Sequence, residues 1–68
     1  MDGVKMRELR KASGKTLREV SIESDVTEAQ ILNIESGKTQ NPGIATLVAI
    51  AHALGCEVGD FLGSDDGE

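Results

Sequence analysis

Aromatic residues are almost absent: the chain has no tryptophan, no tyrosine and a single phenylalanine, Phe61. Any core must therefore be built from Leu, Ile, Val and Met. One cysteine, Cys56, excludes an internal disulfide framework and suits a reducing compartment. With His52 as the one histidine, no set of side chains has metal-ligand spacing, and Cys56 reads as a small hydrophobe. Neither a metal nor a cofactor is expected. No nucleophile, base and acid fall into a catalytic pattern, so an enzyme is not expected either. No apolar run approaches the ~20 residues that cross a bilayer, and the first residues lack a signal-peptide apolar stretch. A cytoplasmic protein without membrane contact is the resulting expectation. At 68 residues the chain forms one domain, and a chain this short buries only about 60% of its unfolded surface.

Positive charge is scarce and unevenly placed. Residues 1–18 hold Lys5, Arg7, Arg10, Lys11, Lys15 and Arg18 against Asp2 and Glu8, a net of +4. The remaining residues hold only Lys38 against ten acids, a net of −9, which gives −5 for the whole chain. A basic face for nucleic acid can then only be local.

What the sequence does have is helix punctuation. Thr16-Leu17-Arg18-Glu19 is a capping box: the Thr hydroxyl accepts from the third helical N–H and the Glu carboxylate reaches back. Thr27-Glu28-Ala29-Gln30 is a second, with Gln30 in the reciprocal role and Val26 and Ile31 as a hydrophobic staple. Two caps eleven residues apart leave room for one short helix and a tight turn, the core of a helix-turn-helix. Asp25 falls in that turn, where a left-handed residue is commonly needed.

The other boundaries follow from similar signals. Met6, Leu9 and Ser13 share one face of a helix over 2–12, with Gly14 past its end. The second helix covers 17–24. The third covers 28–36, with Ile31 and Ile34 inward and Gly37 closing it. Pro42 stops any continuation through the following loop. The fourth helix, 44–54, is the most apolar, with Ile44, Leu47, Val48, Ile50, Ala51 and Leu54 forming a wide buried stripe before Gly55. A short fifth helix over 58–62 brings Val58, Phe61 and Leu62. The expected architecture is an all-α, compact five-helix domain over residues 1–63, followed by an acidic disordered tail at 64–68.

Residues 16–37, TLREVSIESDVTEAQILNIESG, resemble the helix-turn-helix of the Cro/lambda-repressor family. The resemblance extends to Leu9-Arg10 and to the stretch NPGIATLVAIAHALGCEVGDFL, and so covers about residues 4–62. It implies a transcriptional regulator of repressor type that binds double-stranded DNA in the major groove as a homodimer. Base contacts would come from Thr27, Glu28, Ala29, Leu32 and Asn33 on the recognition helix. Phosphate contacts would come from Thr16, Leu17 and Arg18 at the start of the second helix. A second phosphate clamp would be Ser36, Lys38, Gln40 and Asn41. Arg10 and Glu35 match a structural salt bridge between the first and third helices. The dimer interface would involve Ile44, Cys56, Glu57, Val58, Phe61 and Leu62.

The chain departs from the family at Leu17, where many relatives carry a phosphate-contacting Gln, and at Ile22 and Leu32, which relatives fill with polar residues. No Lys or Arg lies between Glu19 and Gly37, so phosphate affinity falls to Lys11, Lys15, Arg18 and Lys38. The acidity of residues 19–68 and these apolar substitutions support an alternative, a protein-interaction module on the same scaffold. An antitoxin-like or antirepressor-like partner, or a fragment of a larger regulator, would fit it.

Overall fold

The first three helices start where a side chain accepts from their open N–H groups. The computed structural model describes residues 2–62, and these contain five helices and no strand. Asp2 caps α1 (Gly3–Ala12) by accepting from the Val4 and Lys5 N–H groups. Thr16 caps α2 (Leu17–Ser24), and the capping box is complete: Thr16 Oγ1 accepts from Glu19 N at 3.1 Å while Thr16 N donates to Glu19 Oε1 at 2.9 Å. Thr27 caps α3 (Glu28–Glu35) with one bond, from Gln30 N at 3.1 Å. The return bond expected from Gln30 is not made, and α3 stops one residue earlier than its sequence pattern suggests. Gly43 opens α4 (Ile44–Leu54), and α5 spans Val58–Leu62. The expected tail at 64–68 lies outside the described residues.

The turn between α2 and α3 closes at Asp25, whose φ of 62° is left-handed. Non-glycine residues reach this region at a cost of about 1–2 kcal/mol. The Ser24 hydroxyl steadies the turn by accepting from Val26 N at 3.2 Å. This sharp reversal sets α3 across α2.

The core is a single apolar cluster centred on Met6, Val20, Ile31, Ile34, Ile50 and Phe61. α2 packs on α3 and α4, α1 packs on α3 and α5, and α4 meets α5. One expectation for α4 is corrected. Its buried arc is Leu47, Ile50, Ala51 and Ala53, whereas Ile44 and Val48 stand 67% and 51% exposed. An almost wholly apolar helix has no polar face to fix its rotation, so packing against α2 and α5 decides it.

Two contacts hold the N-terminus. Asp2 N donates to the Phe61 carbonyl at 3.4 Å. Gly3 lies directly against the Ile34 and Glu35 carbonyl oxygens, so close that a Cβ there would overlap Ile34 O. The start of α1 thus abuts the carbonyl end of α3, an arrangement that opposes their partial charges favourably.

Candidate nucleic-acid interface

α3 is placed by what it buries. Ile31, Ile34 and Glu35 face inward, so the opposite side presents Glu28, Ala29 and Leu32, with Asn33 half-buried and Thr27 at the cap. Leu32 is 51% exposed. Among the described residues the Asn33 carboxamide has no hydrogen-bond partner, while its backbone carbonyl accepts from Thr39 N at 3.0 Å and from Ser36 Oγ at 3.2 Å. Those two bonds fold the loop back against the end of α3. Gly37, at φ 87°, makes the reversal. Ser36, Lys38, Gln40 and Asn41 are exposed along it.

Glu35 anchors α3 to the rest of the domain. Its side chain is 2% exposed, and its carboxylate receives Arg10 Nε at 2.8 Å and Arg10 Nη2 at 3.0 Å. A third Arg10 donor, Nη1, reaches the Lys15 carbonyl at 3.2 Å. One guanidinium therefore ties α1, the turn before α2, and α3. The hydrogen bonds from Arg10 to Glu35 hold the Arg10 pKa above its ordinary value, against the opposing effect of burial. The fork-to-carboxylate geometry is the strong form of such a pair.

The cations divide into committed and open ones. Lys15, counted from sequence among the phosphate contacts, donates to Glu23 Oε1 at 2.5 Å and to the Ala53 carbonyl at 2.6 Å. It closes the C-terminal end of α4, and its charge is paired with Glu23. Arg7, Lys11, Arg18 and Lys38 are exposed and have no acidic partner within 4.0 Å among the described residues.

The structure also joins residues that the sequence keeps apart. Leu17 at the start of α2, Leu32 and Ser36 around α3, and Arg7 on α1 line one depression, with the Arg10–Glu35 pair in its wall. The sequence alone gives Arg7 no role. Its position three residues before Arg10 on the same helix was the signal available. Ile22 is 71% exposed but does not line this depression. Five residues after Leu17, it points roughly 140° away around α2.

On the far side, Ile44, Val48 and His52 follow one line along α4 and border a groove that continues past Cys56, Glu57 and Val58. Phe61 does not contribute to that surface. It is 0% exposed and belongs to the core between α1 and α5, which corrects its expected place in a dimer contact. Leu62 ends the α5 backbone, and its side chain lies outside what is described. Burial raises the Cys56 thiol pKa above the ordinary thiol range, and the nearby charges of Asp60 and Glu57 add to that effect.

The arrangement of α2, a tight left-handed turn and a laterally exposed α3 has a counterpart among known proteins. The helix-turn-helix family model, of the Cro and lambda-repressor type, matches residues 6–61. The chain belongs to the helix-turn-helix family. No curated protein matches it. As a helix-turn-helix it is a DNA-binding domain of regulatory type, with α2 and α3 as the two helices that give the family its name. In this helix-turn-helix the family match takes in both the Arg10–Glu35 tie and the buried Phe61. No described helix is long and apolar enough to cross a membrane.

Proposed function

We propose that the domain is a sequence-specific transcriptional repressor that binds a palindromic operator as a homodimer. The observation that carries this reading is the outer face of α3. A buried ion pair fixes the helix, yet Glu28 and Ala29 are exposed and Asn33 half-exposed, and among the described residues their side chains make no hydrogen bonds or ion pairs. Asn grips adenine through two hydrogen bonds, Glu accepts from cytosine N4, and Ala packs on a thymine methyl. Thr27, at the cap, stands beside them.

Affinity must be divided among several weak contributions. α3 itself carries no cation, and Glu28 repels phosphate while favouring its own helix N-terminus. Arg18 beside the Thr16 cap and Lys38 beside Ser36, Gln40 and Asn41 supply the attraction, with Lys11 further along α1. The first-turn N–H groups of α2 at Leu17 and Arg18 add a backbone contribution. An eight-residue helix reads only a few base pairs, so two copies on half-sites about 34–36 Å apart are needed. The exposed Ile44 and Val48, continuous with Cys56, Glu57 and Val58, support a second copy on the α4–α5 side. A double-stranded DNA target supports a cytoplasmic location.

A random-pool duplex selection at two salt concentrations tests the reading. An enriched inverted repeat, bound less tightly as salt rises, is the expected result. Recovery of no preferred sequence would overturn it. One observation favours a second reading, a protein-interaction module: Ile22 stands 71% exposed on a helix whose surroundings are acidic. That reading expects Ile22→Lys to abolish a protein partner with the fold intact, and the repressor reading expects operator binding to survive the same change.

A further inference from the structure

The resemblance places phosphate contacts in two separate clamps, one at the start of α2 and one after α3. The fold brings a member of each, Leu17 and Ser36, into a single depression whose apolar lining is Leu17 and Leu32. Two guanidinium groups border it. Arg10 is neutralised by Glu35 at 2.8 Å, whereas Arg7 is exposed and has no acidic partner within 4.0 Å among the described residues. The depression therefore combines one uncompensated, forked cation with an apolar lining, immediately beside the outward face of α3.

We propose that this depression seats one DNA backbone unit, with Arg7 binding the phosphodiester and Leu17 and Leu32 packing on its deoxyribose. The inference rests on the DNA-binding reading and assigns a contact that reading leaves out. A phosphodiester alternates an anion with an apolar sugar face over a few ångströms, which is the pattern the depression presents. Arginine is suited to the anion because its planar fork meets two phosphate oxygens at once. The leucine lining displaces water and lowers the local dielectric, which strengthens that attraction. The Thr16–Glu19 capping box satisfies its own two groups and leaves the Leu17 N–H open at the same edge. The two leucines, departures from the usual polar residues, thus acquire a common use. The cation missing from α3 is supplied from α1.

The test is the salt dependence of binding to a mixed-sequence DNA duplex, read by fluorescence anisotropy, for the full chain and three variants. Arg7→Gln is expected to lower the slope of log K against log salt by about 0.9, one phosphate contact. Lys5→Gln, on the same helix but outside the depression, is expected to leave the slope unchanged. Leu32→Ala is expected to weaken binding about fourfold at constant slope, equivalent to one buried methylene. Far-UV circular dichroism confirms that each variant is folded, as Arg7, Lys5 and Leu32 are exposed. An unchanged slope for Arg7→Gln, with the parent chain binding, overturns the inference alone. A parent chain with no salt-dependent binding overturns both the inference and the function it rests on.

Discussion

Removing the Glu35 carboxylate is expected to cost most of the stability of this domain. At about 0.05–0.15 kcal/mol per residue, a chain of 68 residues has roughly 3–10 kcal/mol in hand. Glu35→Ala strands Arg10, which is 13% exposed at its side chain, beside a cavity that was 2% exposed. Two of its three hydrogen bonds vanish, leaving only the Lys15 carbonyl. Breaking a buried pair by deleting one partner costs about 3–5 kcal/mol. Urea unfolding followed at 222 nm reads this directly: with a slope near 1 kcal/mol per molar, the midpoint falls by roughly 3 M or the transition disappears. The paired replacement Arg10→Met with Glu35→Leu removes both charges together and is expected to recover most of that loss. It should also retain salt-dependent DNA binding, because the Arg10 charge is already neutralised by Glu35. A loss below about 1 kcal/mol for Glu35→Ala would mean that the pair behaves as an exposed one and does not hold α3 in place.

The start of α1, the lysines and Cys56 give further expected outcomes. Gly3→Ala places a methyl against the Ile34 and Glu35 carbonyls; the forced shift of α1 should cost about 1–3 kcal/mol in thermal or urea unfolding. Lys15→Met should lower stability by about 1 kcal/mol through the lost Ala53 and Glu23 contacts, discounted for partial exposure. The same change should leave the DNA salt slope intact, whereas Lys38→Gln lowers it by about 0.9. Cys56 favours its neutral thiol, so at any given pH its thiolate fraction lies below that of an unperturbed cysteine. Its alkylation should be slower than that of a free cysteine at neutral pH and keep rising beyond the ordinary thiol range, as a pH–rate profile with iodoacetamide will show.

The helices that begin with a hydroxyl cap were legible because capping is local: Thr16 with Glu19, and Thr27 with Gln30, need only a span of four residues. Asp25 was legible for the same reason, as a short turn between two caps demands a left-handed residue. Features set by distant packing were not. Lys15 and Ala53 meet across the domain, and no periodicity connects them, so Lys15 read as a free cation. Phe61 sits on a five-residue helix, too short for a pattern to say which side faces in. In α4 nearly every residue is apolar, so the rotation that exposes Ile44 and Val48 comes from its neighbours. The candidate interface follows the same division. The residues facing outward on α3 could be read from its period, whereas the company of Arg7, Leu17, Leu32 and Ser36 required the crossing of three helices.

If α3 reads bases while cations elsewhere hold the backbone, α3 side chains set sequence discrimination and the cations do not. The most direct test measures the affinity of the parent chain and of Asn33→Ala for the selected operator and for all its single-base variants. Asn33→Ala is expected to lose discrimination at one base pair in each half-site, by about 1–3 kcal/mol, with other positions unchanged. A uniform loss across all variants, or no loss at any of them, would contradict it.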